Sequence, residues 1–235
     1  MANNEPVVNK ISVERAERVK EIFRKIPSPI ETAVLFHDIG VEYNGEMTNT
    51  VKSVNNYTTN RAKALNLGVY GADLSYANVS DQPQESMVYI SCIKKMADAL
   101  EVTSAFGELT IERLDVSMND RDSLMVIIGD AFWIIDSYLK QNGQDYLSAL
   151  ILTGGWIEGL YIGTQVLDNE KPDPELMRRI TIQKNSLLNL MDLLNTYDNE
   201  EVMYIKQEMM LLQEAYNKID EEEVDAAKIF EIRDA

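Results

Sequence analysis

The sequence predicts an all-α protein, folded as a single-domain bundle of about eight to ten mostly antiparallel helices. Apolar side chains recur every three or four residues along nearly the whole chain, helix-start signals lie between these segments, and the alternating pattern of strands is almost absent. The short connections between segments are typical of antiparallel neighbours. We expect residues 1–10 to form a flexible leader and residues 11–235 to form one helical domain.

The first helix is indicated by an apolar face within residues 19–26. A new helix start follows at Ser28, with Pro29 at the first helical position and Glu31 at the third. A serine cap and a glutamate at the third position satisfy exposed backbone donors together, and proline fits the first turn. We therefore predict Ser28 as a helix N-cap.

Similar starts recur further along the chain, at Asp81, Asp173 and Asp198, and Asn-Gly at 142–143 predicts a helix end. Between these signals, apolar residues fall on one face of each segment. Three such faces contain, in order, Tyr89, Ile93, Met96 and Leu100; Leu124, Ile127, Ile128, Ala131, Ile135 and Tyr138; and Val202, Ile205, Met209, Leu212, Tyr216 and Ile219.

The charge balance excludes two classes of partner. Thirty-nine acidic against 22 basic side chains give a net charge of −17. Such a field repels phosphate backbones and anionic lipid headgroups. We expect no nucleic-acid partner, and contact with a membrane only through a lipid anchor.

One segment is long and apolar enough to suggest a membrane span, at residues 147–167. It contains four glycines and a central Glu158, so we interpret it as a buried central helix. Cys92 is the only cysteine and lies on an apolar helical segment, where a small buried hydrophobe is the simpler interpretation.

Known catalytic and metal-binding patterns are missing from the sequence. His37 is the only histidine, and although His37-Asp38 matches the pair that names the HD phosphohydrolases, those sites need further histidines. No nucleophile elbow, phosphate-binding loop or dinucleotide fingerprint occurs. We expect no cofactor and no transition metal, and any enzyme here would have to use carboxylates, tyrosines or an all-oxygen metal site.

Glycines at helical spacing mark two smooth helix faces. Gly68 and Gly71 share one face, and Gly155, Gly159 and Gly163 share another. Because each glycine costs about 1 kcal/mol of helix propensity relative to alanine, such faces call for a reason. We predict that these two helices pack closely against each other, with a ligand lying against bare backbone as the alternative.

Polar side chains flank both smooth faces and form our candidate ligand-binding site. Asp73 lies beside one face and Glu158 beside the other, so neighbouring helices would direct both carboxylates into one cleft. Tyr70, Tyr161 and Trp156 would form its walls. The alternative is that both polar stripes simply face water.

Residues 66–77 (Asn-Leu-Gly-Val-Tyr-Gly-Ala-Asp-Leu-Ser-Tyr-Ala) and 154–162 (Gly-Gly-Trp-Ile-Glu-Gly-Leu-Tyr-Ile) resemble a family of uncharacterised predicted lipoproteins of Bacteroidetes-type bacteria. The resemblance covers residues 26–195, including the Ile-Pro-Ser-Pro start. It implies no activity, but it implies an exported, lipid-anchored, periplasm-facing protein of the cell envelope, with the signal and the lipid-bearing cysteine upstream. A cytoplasmic location is the alternative.

Two functions from different classes remain open. The first is a non-catalytic helical binding or interaction protein of the envelope, whose partner is a small molecule or an envelope protein. The second is a carboxylate-dependent, hydrolase-like enzyme with a cleft around Asp73 and Glu158. A binding protein should present an aromatic or apolar groove, whereas an enzyme should present a carboxylate of perturbed pKa in a cleft.

Overall fold

The computed structural model describes residues 25–26, 42–104, 113, 120–220 and 224–235. These ranges contain helices and turns but no strand, so the predicted all-α class is confirmed. Two 3-10 segments, Gly45–Met47 and Val51–Asn55, precede the α-helices. The helices are α1 (Asn60–Val79), α2 (Pro83–Ala99), α3 (Arg121–Gln141), α4 (Asp145–Gln165), α5 (Pro174–Leu194), α6 (Glu200–Asn217) and α7 (Ala226–Asp234).

Several predictions lie outside the described residues. These are the leader at residues 1–10, most of the first helix, the Ser28 cap and His37. The helix count for the whole chain and the single-domain boundary stay predictions. Within the described ranges, buried apolar residues from all seven α-helices form one continuous core.

The helix termini agree with the predicted signals at some positions and differ by one residue at others. Asp173 caps α5 as predicted, since its side chain accepts the amide of Leu176 at 2.9 Å. The cap of α6 is Asn199 rather than Asp198. The chain passes Asp81 with a left-handed φ of 54°, and α2 begins one residue after Gln82.

The apolar segment at 147–167 is a buried central helix, as predicted. It forms α4, where 15 of the 21 residues are buried, on all sides of the helix. Among the described helices, none combines the length and the apolarity needed to cross a membrane. Burial of α4 inside the protein explains why this segment is apolar all round.

The glycine faces bring α1 and α4 into backbone contact, as predicted at the level of the helices. A Cβ added to Gly68 would lie 1.9 Å from the carbonyl oxygen of Ile151 and 2.7 Å from the amide of Gly155, and one added to Gly154 would lie 2.0 Å from the carbonyl oxygen of Leu65. Gly71 differs from the prediction. Its missing side chain accommodates the ring of Phe132 on α3.

Helices α1 and α4 run parallel, which is an exception within the mostly antiparallel bundle that we predicted. Asn60 at the start of α1 meets Tyr146 at the start of α4, and Asp73 meets Glu158 about 13 residues further along both helices. The pairs α1–α2 and α3–α4 are antiparallel, and each is joined by a connection of three residues. Helices α2 and α3 therefore both run opposite to α1, and α4 starts beside the start of α1.

Candidate functional site

The candidate site is built around Asp73, whose side chain is completely buried in the middle of α1. Its Oδ2 accepts the backbone amide of Asn49 at 3.2 Å. Its Oδ1 has no donor among the described residues. An unsatisfied buried carboxylate oxygen is costly, so Asp73 needs a neighbour that satisfies it.

Glu158 of α4 is that neighbour, because its carboxyl group lies within hydrogen-bonding distance of Asp73. Burial raises the pKa of Glu158 to about 7, and it raises the pKa of Asp73 well above its ordinary value, with the charge of Glu158 as the second cause. Two charges so close in a buried site are unfavourable, so the carboxyls share one proton. A proton on Asp73 turns its carboxyl into a donor towards Glu158 and removes one of the two adjacent charges.

Buried tyrosines surround the acid pair. The ring of Tyr70 lies 6.4 Å from that of Tyr89. Burial is the main cause that raises the pKa values of Tyr70, Tyr89 and Tyr43, and the charge of Asp73 raises all three further. These phenols are therefore neutral near pH 7, and they supply hydrogen bonds without charge.

The segment before α1 covers this side of the site, and we call residues 42–57 the strap. Its hydrogen bonds to α1 and α2 come from side chains that the helices hold in place. The Tyr76 hydroxyl donates to the Glu42 carbonyl and accepts the Asn44 amide, both at 3.1 Å; Tyr89 donates to Thr48 Oγ1 at 2.6 Å; Tyr70 donates to the Thr50 carbonyl at 3.1 Å; and Asn49 Nδ2 donates to Asn66 Oδ1 at 3.0 Å.

The structure brings together three of the five predicted ligand-binding residues, Tyr70, Asp73 and Glu158. The two other predicted walls lie elsewhere, which corrects our expectation. Trp156 is buried, and its Nε1 donates to Gln183 of α5 at 3.2 Å. Tyr161 is 43% exposed and lines a separate groove. Trp156 lies two positions from Glu158, so helix geometry directs it to the other side of α4, whereas Tyr161, three positions away, is turned by only about 60° and lies beside the groove.

That separate groove lies between α4, α6 and α7 and has a volume of about 290 Å³. Its walls are mostly apolar and include Leu65, Ile157, Leu160, Ile205, Met209 and Leu212. Tyr161, Glu208 and Arg233 add the polar groups. A concave apolar surface with few polar groups is the common form of a small-molecule site, and this volume lies near the lower end of the usual range.

An open acidic depression of about 750 Å³ lies at the C-terminal end of α4, lined by Glu42, Asp168, Glu170 and Asp173 among others. The Asp168 carboxylate accepts the backbone amides of Glu170 and Lys171, which lowers the pKa of Asp168. The carboxylate of Asp173 caps α5. Both groups therefore stabilise local backbone. In the part of the chain that the structure describes, no three His, Cys, Asp or Glu side chains come close enough to hold a metal ion.

Sequence reasoning missed the residues that close the site over Asp73. Asn49, Thr48 and Tyr43 lie in a segment without helical periodicity, so no pattern predicted their position. Tyr89 was placed on an apolar stripe, and its hydroxyl is the part that reaches the strap. Cys92 is 5% exposed, which agrees with the predicted buried hydrophobe.

Comparison with protein-family models, with curated proteins and with solved structures found no match for this chain. Function is therefore inferred from the chemistry of the acid pair and of the groove.

Proposed function

We propose that this protein is a non-catalytic helical binding protein of the bacterial cell envelope, which binds a small, mainly apolar molecule in the groove between α4, α6 and α7. The observation that carries the proposal is the accessible apolar groove with the half-exposed Tyr161 on its wall. A ligand can enter this groove directly, whereas Asp73 lies at 0% exposure beneath the strap.

The polar groups of the groove narrow the chemistry of the ligand. Arg233 already contacts Asn169 Oδ1 at 2.9 Å and lies over the Phe230 ring, so its guanidinium is held in place beside the groove. Glu208 contributes a carboxylate. An apolar body with one polar end fits such a lining, because the body displaces water from the walls and the end meets a charged group.

Fluorescence titration with 8-anilinonaphthalene-1-sulfonate, which has an apolar body and one anionic end, tests the groove. The variant Tyr161→Glu places a negative charge on the apolar wall of the groove. We expect the Kd for the dye to rise at least about tenfold, which corresponds to about 1.4 kcal/mol of binding free energy. Leu188→Glu on α5 is the matched control, because Leu188 is 42% exposed, as against 43% for Tyr161, and lies outside the groove lining. An equal rise of the Kd in both variants, or the absence of saturable dye binding by the wild type, would contradict the proposal.

The envelope location rests on the resemblance of residues 66–77 and 154–162. It is tested separately from binding, by labelling producing cells with an alkyne fatty acid and fractionating them. Label on the protein in the membrane fraction supports the location. Unlabelled protein in the cytoplasmic fraction contradicts it and leaves the groove proposal intact.

A carboxylate-dependent enzyme is the second candidate, because Asp73 and Glu158 form the perturbed acid pair that such an enzyme needs. One carboxyl holds a proton and the other is poised to accept one near neutral pH, which suits acid-base chemistry. This candidate requires substrate to reach Glu158. A hydrolytic activity that Asp73→Asn and Glu158→Gln each abolish, with folding intact, would favour it over the binding protein.

A further inference from the structure

The strap and the acid pair are connected by one hydrogen bond, and that bond depends on the charge of the pair. The Asn49 amide of the strap donates to Asp73 Oδ2, while the buried Asp73 Oδ1 has no donor among the described residues and the Glu158 carboxyl lies next to the Asp73 carboxyl. The pair is satisfied when it holds a proton. Without that proton, two adjacent negative charges lie between α1 and α4 beneath the strap.

We propose that the proton shared by Asp73 and Glu158 keeps the strap closed over α1, and that loss of this proton opens the strap and exposes Asp73 to water. The closed state excludes water from Asp73, which favours the protonated pair. An open strap hydrates the carboxylates, which favours the ionised pair. The proton therefore binds the closed state more tightly, and its loss shifts the population towards the open state.

The other contacts of the strap make this opening possible at modest cost. They are hydrogen bonds from tyrosine hydroxyls, from the Asn49 side chain and from the ammonium group of Lys95 on α2 to Asn55, and water can replace each of them. Val54 is the one fully buried apolar side chain within the two 3-10 segments, and three other side chains of the strap are partly buried against the core. Few buried apolar contacts are typical of segments that open locally without global unfolding.

The groups around the pair do not titrate in the same range. They are Tyr43 on the strap, Tyr70 on α1, and Tyr89 and Cys92 on α2. Burial raises the pKa of each above its ordinary value, so all four stay neutral between pH 5 and 8. A change of strap opening within this range therefore reports on Asp73 and Glu158. This inference is independent of the proposed binding groove.

The direction of the pH dependence follows from linkage. The closed pair titrates above the ordinary carboxyl range, and the open pair titrates within it. Opening therefore becomes more favourable as pH rises from about 4.5 towards 7, by up to about tenfold per pH unit for one proton. Above about 7, where Glu158 is ionised in both states, only the Asp73 proton continues this trend.

Amide hydrogen exchange of Asn49, corrected for the intrinsic base-catalysed rate, tests the proposal. In the wild type we expect the protection of this backbone amide to fall as pH rises from 5 to 7. In the double variant D73N/E158Q the protection should stay constant, because the side-chain amides at these two positions cannot ionise. Glu214→Gln, at an exposed position on α6, is the control and should behave like the wild type. Constant protection in the wild type, or the same pH dependence in the double variant, would overturn the proposal.

A second measurement keeps the test decisive if the double variant does not fold. The side-chain carboxyl ¹³C shift of wild-type Glu158 should titrate with a midpoint near 7, the shift of Asp73 should titrate above the ordinary carboxyl range, and the amide shift of Asn49 should move with both. Separate midpoints at ordinary carboxyl values, with an Asn49 shift that does not move, would show that no shared proton exists.

Discussion

At the scale of single residues, the close approach of α1 and α4 depends on Gly68. A Cβ at this position would meet the backbone of Ile151 at 1.9 Å, and backbone inside a helix cannot move aside without moving the helix. At Gly71 the corresponding contact is the ring of Phe132 at 2.3 Å. A side chain can change rotamer, so the two glycines tolerate substitution differently.

Gly68→Ala should therefore lower the free energy of unfolding by about 1–3 kcal/mol through overpacking, despite the gain of about 1 kcal/mol in helix propensity. Gly71→Ala should cost less, because the Phe132 ring can adjust. Urea denaturation of both variants measures the difference. A Gly71→Ala variant that is less stable than Gly68→Ala would contradict this account of the interface.

At the scale of elements, the strap shows how a segment without helical periodicity can be held in one place. Hydroxyls of Tyr70, Tyr76 and Tyr89 reach it from two helices, and its own side chain at Asn44 accepts the amide of Glu46. The strap is therefore held by side chains of the packed helices and not by a regular structure of its own. This arrangement is consistent with local opening of the strap while α1 and α4 stay packed.

The start of α6 gives a test at the same scale. The Asn199 side chain accepts the amides of Glu201 and Val202 at 2.9 and 3.3 Å, whereas the exposed Asp198 lies outside the helix. Asn199→Ala should lower the free energy of unfolding by about 1 kcal/mol, because helix donors lose their acceptor. Asp198→Ala, the position that the sequence alone suggested, should change it little. The reverse order in chemical denaturation would show that the cap is misplaced.

At the scale of the whole molecule, the acid pair makes stability depend on pH with a defined sign. Both folded pKa values lie above the ordinary ones, so the folded protein binds more protons than the unfolded protein between the ordinary carboxyl range and about 7. The free energy of unfolding therefore falls as pH rises through this window. Glu175 affects stability in a lower pH range, because Arg178 and Arg179 lower its pKa to about 2. Its contribution to the free energy of unfolding is lost only as pH falls towards that value.

We accordingly expect wild type and D73N/E158Q to diverge between pH 5 and 7.5. The wild type should lose up to about 1.4 kcal/mol per pH unit for each proton relative to the double variant. The difference between the two curves removes the general effect of the net charge of −17, which both proteins largely share. Chemical denaturation across this range measures it. A difference that stays constant with pH, while Glu214→Gln follows the wild type, would contradict the raised pKa values.

The helices, their apolar faces and the pairing of the glycine-bearing helices could be predicted from the amino-acid sequence. These properties are local and periodic, so Gly68, Gly155 and the apolar segment at 147–167 carried enough information. The approach of Asp73 to Glu158 followed from that pairing, because Asp73 lies about one turn beyond Gly68 and Glu158 lies about one turn beyond Gly155. Tyr70 was predicted near Asp73 because the two residues are three positions apart and share one side of α1.

The segments that cover each helix face could not be predicted in this way, because they depend on contacts between distant parts of the chain. Periodicity states which side chains share a side of a helix, but a partner 24 residues away, such as Asn49 for Asp73, depends on how the chain returns. The same holds for the parallel course of α1 and α4, and for Trp156 and Tyr161, which turn away from Glu158 towards α5 and the groove. Burial by a distant segment also sets the proton affinity of the pair, because the desolvation that raises both pKa values is a property of the packed protein and of no single helix.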